Sequence, residues 1–225
     1  FFAGDLGQRI FRTPFSWKAV GVDVRGRSHT LRVNYRTSHQ IRARADRLLP
    51  GAVADVDGLE ERRAGVTSVF NGPDPDIRIA DDPDHETEIV ADWLRARIAE
   101  GVAPHEIGVF VRTVETLPRA AAALEAAGIP HSAITADADP PTGRAARATM
   151  HIAKGMEFRA VAVMACDEDL LPLAARIETV ADESDLDEVY ATERHLLYVA
   201  CTRARDHLLV TGVDPVSEFV DDLRS

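Results

Sequence analysis

The chain has 225 residues, of which 45% are hydrophobic and 28% are charged, and its formal net charge is −11. A chain of this length can bury a full core. Its acidity argues against a general nucleic-acid binder, because affinity for the phosphate backbone depends on clustered Lys and Arg, so any nucleic-acid contact is expected to be local. The longest apolar runs are far shorter than the roughly 20 residues of a membrane helix. We therefore predict no membrane association and a cytoplasmic location.

The two cysteines and eight histidines show no spacing typical of a metal site. Cys166 falls in a strand-like run and Cys201 in a helix-like run. This separation predicts two reduced, buried thiols and not a disulfide.

The N-terminal part of the chain differs in character from the rest. Residues 1–26 lack clear periodicity and are predicted to be the end of one domain followed by a linker, with a second domain over 27–225. Residues 29–34 alternate like a strand, and residues 37–40 fit a capping box that opens a helix reaching about Leu49. Residues 21–28 have P-loop spacing with Arg in place of Lys, but they lead into a strand and not a helix, so we expect no phosphate binding there.

The remainder alternates strands and helices. The predicted strands are 77–80, 107–111, 131–135, 160–166 and 207–211, and the predicted helices are 83–100, 117–127, 188–204 and 216–223. Such alternation predicts a parallel sheet with right-handed crossovers, which is a doubly wound α/β fold. Trp93 falls on the apolar face of its helix and is predicted to be a core residue, not a platform for base stacking.

Four segments carry residues suited to nucleotide and nucleic-acid chemistry. They are Gly4-Asp5-Leu6-Gly7-Gln8, Val33-Asn34-Tyr35-Arg36-Thr37-Ser38, the run from Thr149 to Phe158, and the run from Thr192 to Arg205. Taken singly, each has an ordinary explanation: a Gly/Asp turn, a surface Tyr-Arg pair, a core histidine at His151, and an arginine at 203 that caps a helix.

Together and in this order, the four segments resemble UvrD/Rep-type superfamily 1 DNA helicases. The family pattern Thr-x-His-x-x-Lys-Gly-x-Glu-Phe is met at every fixed position of the third segment. The resemblance covers the later half of the family's motor, from the third motif through the sixth. It implies a RecA-like domain, a P-loop NTPase-like fold that lacks its own P-loop.

The resemblance also implies roles at an ATP site. Gln8 would touch the γ-phosphate, Tyr35 would stack on adenine, and Arg36 would hold the γ-phosphate with its planar cationic fork. Lys154 and Glu157 would face the nucleotide.

The fourth segment and the start of the third complete the implied set. Arg203 matches the family's arginine finger, which neutralises charge that develops on the phosphates in the transition state. Thr149 and His151 would face single-stranded DNA. Arg194 and Arg205 are interpreted as helix-surface or supporting residues.

ATP and Mg²⁺ would be held mainly by the first RecA-like domain, of which this chain contains only the end. We therefore interpret the chain as a fragment that opens on Phe1-Phe2 and is inactive as an ATP hydrolase by itself. The Lys-Gly-Met-Glu-Phe centre of the third segment resembles the 3′-to-5′ branch of the family.

Two alternatives stay open. About a dozen residues separate the strand at His131 from the strand before His151, where UvrD-type helicases carry a large inserted subdomain. The short connection fits a helicase-like ATPase that remodels a protein complex such as RNA polymerase. A non-enzymatic interaction module with a helicase fold is the other alternative. Coupling of ATP hydrolysis to single-stranded DNA would distinguish a helicase from the complex-remodelling ATPase. A P-loop sequence upstream of Phe1 would support a motor, and its absence would support the interaction module.

Overall fold

The computed structural model describes residues 33–49, 52–54, 60–62, 67–135 and 142–224. Its strands are β1 (Val33–Asn34), β2 (Ala52–Ala54), β3 (Glu60–Arg62), β4 (Thr67–Ser68), β5 (Asp76–Ala80), β6 (Ile107–Val111), β7 (His131–Ala133), β8 (Ala145–Thr149), β9 (Phe158–Val163) and β10 (Ala204–Val213). Its α-helices are α1 (His39–Ala45), α2 (Pro83–Ala99), α3 (Leu117–Ala126), α4 (Ala174–Ile177), α5 (Glu183–Cys201) and α6 (Glu218–Arg224).

Six strands form one parallel sheet in the order β5-β10-β9-β6-β8-β7. Two small sheets accompany it: β1 pairs with β4 in parallel, and β2 pairs with β3 antiparallel. Helices cross over the sheet between β5 and β6, between β6 and β7, and between β9 and β10, as is usual for parallel strands. The doubly wound α/β prediction is confirmed.

The two faces of the sheet bury different sets of helices. Along β6, Ile107, Val109 and Val111 pack in the core that contains α2 and α3, while Phe110 packs in the core that contains α1, α5 and α6. All five residues of this strand are buried. Burial on both faces explains its unbroken apolar sequence, which is typical of a central parallel strand.

Helix α2 begins and ends where the sequence predicts. The Asp82 side chain accepts a hydrogen bond from the backbone N–H of His85 at 2.8 Å, and Pro83 occupies the first turn. Gly101 terminates the helix with a φ of 86°, a conformation that favours glycine. Trp93 is only 6% exposed and lies in the core, as predicted.

Helix α5 corrects the prediction of a helix over 188–204. It begins five residues earlier, because Asp182 caps it by accepting from the Asp185 N–H at 2.9 Å and because acidic residues favour a helix N-terminus. It ends at Cys201, because the chain enters β10 at Ala204. Arg203 and Arg205 were expected at the end of this helix from the sequence. In the structure both residues follow the helix and do not belong to it.

The start of α1 is capped differently from the capping box expected of residues 37–40. Ser38 is the N-cap and its hydroxyl accepts from the Ile41 N–H at 3.5 Å. The Gln40 side chain does not reach back to the cap, because its Oε1 accepts from the Gly72 N–H at 2.9 Å. The first turn of α1 is thus held by the chain around Gly72.

A buried carboxylate ties β10 and the segment after β9 to two helices of one face. Glu86 of α2 is fully buried and accepts hydrogen bonds from the Ala165 N–H at 2.9 Å and the Thr211 hydroxyl at 2.8 Å. Arg119 of α3 binds the second Glu86 oxygen and also Asp167, at 2.6 Å. Among the described non-glycine residues, Ala165 alone has a positive φ, of 58°. The backbone bends at this residue, just after β9, and its N–H donates to Glu86.

Both cysteines are free and buried, as predicted. Burial raises the pKa of the Cys201 thiol to about 12 and raises that of Cys166 as well. Among the described residues, no helix is long and apolar enough to cross a membrane. Of the strand predicted over 29–34, residues 33 and 34 form β1. Residues 29–32, the P-loop-like run 21–28 and the predicted boundary at residue 26 lie outside the described residues.

Candidate functional site

Three of the residues expected at the nucleotide, Arg36, Glu157 and Arg203, lie at the amino-terminal ends of β9 and β10. Arg36 follows β1, and its Nε lies 3.3 Å from Oε2 of Glu157, which immediately precedes β9. Both side chains are about half exposed. Tyr35 is 72% exposed, so its ring is open to a planar ligand. We call Tyr35, Arg36, Glu157, Thr202 and Arg203 the amino-edge cluster.

Two hydrogen bonds fasten the Arg36 loop to the segment that carries Arg203. The hydroxyl of the buried Thr37 donates to the Thr202 carbonyl at 3.4 Å, although the two residues are 165 positions apart in the sequence. The Ser38 N–H donates to the Arg205 carbonyl at 3.0 Å. These long-range contacts bring the second and fourth sequence segments into one place.

Arg203 lies at the centre of the amino-edge cluster but is enclosed. Its side chain is 2% exposed. Nε donates to the Val199 carbonyl at 3.1 Å, and the two terminal nitrogens lie 3.3 Å from the Met156 carbonyl and from the Thr202 hydroxyl. The guanidinium thereby caps the C-terminus of α5, a position that suits a cation. To contact a phosphate it would have to exchange these acceptors.

Lys154 and Glu157 lie on the connection 150–157 between β8 and β9. Both side chains are exposed. Gly155 has a φ of 89°, which explains why glycine follows the lysine, since other residues rarely adopt that conformation. Gln8, the remaining residue expected at the nucleotide, lies outside the described residues.

Thr149 and His151 lie at the opposite, carboxyl-terminal edge of the sheet. Thr149 is the last residue of β8 and pairs with Val111 at the end of β6. The following residue, Met150, donates its N–H to the Val111 carbonyl at 2.8 Å. His151 is half-buried. The connection 150–157 therefore joins the DNA-facing residues expected at one edge to the nucleotide-facing residues at the other.

Behind His151 is a buried ion-pair network that sequence reasoning missed. Arg112, which follows β6, binds both oxygens of Glu193 with its Nε and Nη2 at 2.6 and 2.7 Å. Arg176 of α4 adds a third bond, to Oε1 of Glu193 at 2.7 Å. Glu193 is fully buried on the apolar face of α5, between Val189 and Leu197. A single acid on an apolar helical stripe is the sequence signal that could have found it.

These charges fix the protonation of the network and of its neighbour. Burial disfavours the Glu193 carboxylate, but the hydrogen bonds and charges of Arg112 and Arg176 outweigh it and lower the pKa of Glu193. Burial, together with the charges of Arg112 and Arg176, lowers the pKa of His151, with Glu193 acting in the opposite direction. His151 is therefore neutral at pH 7, a form that both donates and accepts hydrogen bonds.

An NMR titration of the His151 ring is expected to give a midpoint below its ordinary value of 6.5. Since the unfolded chain then binds more protons, the stability contributed by neutral His151 is complete above pH 6.5 and falls as the pH drops below it. The Arg176→Gln variant should raise the midpoint by removing one nearby cation. The ring in denaturant serves as the reference, and a folded-state midpoint at or above that reference would contradict the assignment.

A groove and the question of a metal site concern neither edge of the sheet. A shallow groove of about 170 Å³ is lined by residues of α2 and of the turn after α3, including Arg95, Ile98 and Ile129, and by none of the residues named above. The described residues contain no group of three His, Cys, Asp or Glu side chains arranged to hold a metal ion.

Comparison with known proteins agrees with these motifs. Residues 145–214 match the family model of the UvrD-like helicase C-terminal domain. A stretch of 64 residues is 41% identical to the ATP-dependent DNA helicase PcrA of Staphylococcus epidermidis and covers 28% of this chain and 8% of that protein. A stretch of 63 residues is 41% identical to PcrA of Staphylococcus aureus, with the same two coverages.

The fold is also similar to a solved structure. It matches the crystal structure of the C-terminal domain of a possible DNA helicase from Lactobacillus plantarum WCFS1 with a TM-score of 0.58 and 19% identity, over 84% of this chain and 94% of that one. At that identity the likeness supports the fold alone.

The resemblance to UvrD-type helicases is thus confirmed, and the RecA-like fold with it. The matched stretch 145–214 contains the third and fourth motif segments, whereas Gln8, Tyr35 and Arg36 lie outside it. The matched segments span less than a tenth of the length of the PcrA relatives, each alignment covering 8% of its relative.

Proposed function

We propose that this chain supplies the second RecA-like motor domain of an ATP-dependent DNA helicase or translocase of 3′-to-5′ polarity. The observation that carries the proposal is the convergence of Arg36, Glu157 and Arg203, from three separate sequence segments, at one edge of the sheet. Convergence of two guanidinium groups with an exposed tyrosine suits a nucleotide, which offers a polyphosphate and a flat base.

In this proposal the amino-edge cluster completes an ATP site. Tyr35 stacks on the adenine, Arg36 holds the γ-phosphate, and Lys154 and Glu157 lie toward the nucleotide. Arg203 acts as an arginine finger after leaving the Val199 and Met156 carbonyls that it holds beyond the end of α5. Gln8 contacts the γ-phosphate.

The first RecA-like domain is the partner that holds most of the ATP and its Mg²⁺. Mg²⁺ bound to the phosphates neutralises charge that develops during phosphoryl transfer. This chain's contribution is to close over the phosphates with Arg36 and Arg203. A cytoplasmic location belongs to the proposal, because the matched relatives are DNA helicases of bacteria, in which the DNA lies in the cytoplasm.

Single-stranded DNA is proposed to run along the carboxyl-terminal edge, at Thr149 and His151. A neutral imidazole and a hydroxyl can contact both bases and backbone without adding charge. Because the connection 150–157 joins this edge to Glu157, a displacement of the DNA strand has a direct covalent path to the nucleotide site.

A helicase-like ATPase that remodels a protein complex, such as one containing RNA polymerase, is the second candidate. The observation that favours it is the short connection between β7, which ends at Ala133, and β8, which begins at Ala145. UvrD-type helicases carry a large inserted subdomain in this region.

The test is the dependence of ATP hydrolysis on single-stranded DNA in the complete protein that contains both motor domains. We expect an oligonucleotide to raise the turnover at least tenfold, because transition-state stabilisation by Arg203 requires closure of the two domains. The present chain alone should hydrolyse no ATP. His151→Ala should weaken the stimulation, while a substitution in the distant groove, Ile98→Val, should not. If the rate of ATP hydrolysis is the same with and without single-stranded DNA, the result would favour the ATPase that remodels a protein complex.

A further inference from the structure

The network behind His151 contains more positive than negative charge. Arg112 already binds both oxygens of Glu193, so these two residues form a neutral pair with complete bidentate geometry. Arg176 is an additional cation that shares Oε1 with Arg112. Two guanidinium groups and one carboxylate leave a net charge of +1 at this place.

Arg176 differs from Arg112 in its access to solvent. The Arg112 side chain is 6% exposed, whereas that of Arg176 is 24% exposed. Arg176 can leave Glu193 without stranding a buried charge, because Arg112 continues to neutralise the carboxylate. Arg112 cannot leave in the same way.

The surplus charge lies where the DNA strand is proposed to pass. The charges of Arg112, Glu193 and Arg176 all act on the His151 ring. Arg112 and Met150 follow paired strands, since Val111 and Thr149 are partners in the sheet. Within this network two arginines face one carboxylate, although the chain as a whole has a net charge of −11.

We propose that Arg176 binds the phosphodiester backbone of single-stranded DNA beside Thr149 and His151. The inference rests on the proposed DNA-dependent motor function. A guanidinium presents a planar fork that matches two phosphate oxygens, and a phosphate replaces the shared Oε1 of Glu193 as its acceptor. The contact reads no base and depends on salt, because it displaces a counterion from the strand.

The experiment measures binding of fluorescein-labelled oligo-dT and oligo-dC to the complete protein by anisotropy over a range of salt concentrations. Arg176→Gln is expected to weaken binding roughly tenfold in low salt. The slope of log K against log salt should become shallower by about 0.7, the value for one phosphate of a single strand. Both effects should be equal for the two oligonucleotides. Arg176→Lys should keep the slope.

Arg95→Gln is the matched control. Arg95 lies on α2, across the sheet from α5, and its side chain is 49% exposed and paired with Asp92. This substitution removes the same charge from the whole protein, so it isolates the effect of position. Its salt slope should equal that of the wild type.

A measurement on the unaltered protein makes the inference testable even if Arg176→Gln does not fold. Phenylglyoxal modifies accessible arginines, and peptide mapping reports which ones. Bound oligo-dT is expected to protect Arg176 and to leave Arg95 reactive. Equal reactivity of Arg176 with and without oligo-dT would overturn the inference.

The outcomes separate this inference from the proposed function. If Arg176→Gln lowers the melting temperature but leaves the salt slope unchanged, Arg176 is only a structural partner of Glu193 and the inference is wrong. If the complete protein binds no oligonucleotide, or if binding is indifferent to His151→Ala, the proposed DNA edge is wrong and the inference is overturned with it.

Discussion

Replacing Arg203 by alanine is expected to lower the DNA-stimulated ATP turnover of the complete protein by at least about a hundredfold. ATP affinity should change much less, because an arginine finger acts mainly on charge that grows in the transition state. Steady-state kinetics would show this as a fall in kcat with a small change in KM. Arg203→Lys should restore little, since an ammonium cannot span two phosphate oxygens as a guanidinium does.

Arg203→Ala should also lower the folding stability, and the experiment must separate this effect from the loss of turnover. Arg203 caps α5 through the Val199 carbonyl and also holds the Met156 carbonyl. Loss of these bonds should cost about 1–3 kcal/mol of folding stability, so turnover has to be measured well below the melting temperature of the variant. Arg205→Ala is the control, because Arg205 is half exposed and contacts Asp206 and the Phe70 ring. Its turnover should stay within a few-fold of the wild type.

Arg203→Ala with near-normal turnover and intact DNA binding would show that the residue is only a helix cap. The kinetic measurement can decide between the two roles because the cap contributes to the folded state at all times, whereas the finger contributes only in the transition state. A stability loss without a fall in kcat is the signature of the cap.

Local sequence patterns were sufficient for the elements of the sheet. β6 and α2 begin and end close to where apolar runs, Asp82 and Gly101 indicate, because their boundaries depend on neighbours in the sequence. The end of α5 could not be predicted in this way. Its last turn is apolar and helix-compatible, and it stops because Phe158 and Arg203 join their backbones as the chain enters β10.

The environment of the candidate site depends even more on long-range contacts. The sequence resemblance identified Arg36, Glu157 and Arg203, and the structure brings them together. A cap on the end of α5 was one interpretation of Arg203 from the sequence, but its enclosure also depends on the Met156 carbonyl, which lies 47 positions earlier in the chain. The resemblance did not reveal Glu193 and Arg112, whose partnership joins a strand end to a helix 81 positions later in the chain.

The connection 150–157 runs between the two edges of the sheet, from the end of β8 to the start of β9. Met150 and Ala153 are buried in the core that contains α5, while Lys154 and Glu157 are exposed and Glu157 pairs with Arg36. The connection is therefore anchored in the core near its middle and not only at its two ends. Helix α5 also spans the two edges. Its residue Glu193 binds Arg112 at one edge, and its last residue, Cys201, lies close to Arg203 at the other.

Replacing Glu86 by alanine is expected to destabilise the folded chain by about 3–5 kcal/mol, the cost of removing one partner from a buried ion pair. The substitution leaves Arg119 facing Asp167 alone and strands the Ala165 N–H and the Thr211 hydroxyl without their acceptor. For a chain of this size, such a loss lowers the melting temperature by roughly 10 °C. Urea unfolding followed by circular dichroism would give the free energy.

Glu88→Ala is the matched control for Glu86→Ala. Glu88 lies two residues further along α2 and its side chain is exposed, so the same change of side chain should alter the stability by no more than about 0.5 kcal/mol. The comparison removes helix propensity and net charge from the result, because both variants lose one glutamate from one helix. If the two variants unfold at the same urea concentration, Glu86 does not hold β9 and β10 to α2 and α3, and the bend at Ala165 must be maintained by the packing of its neighbours instead.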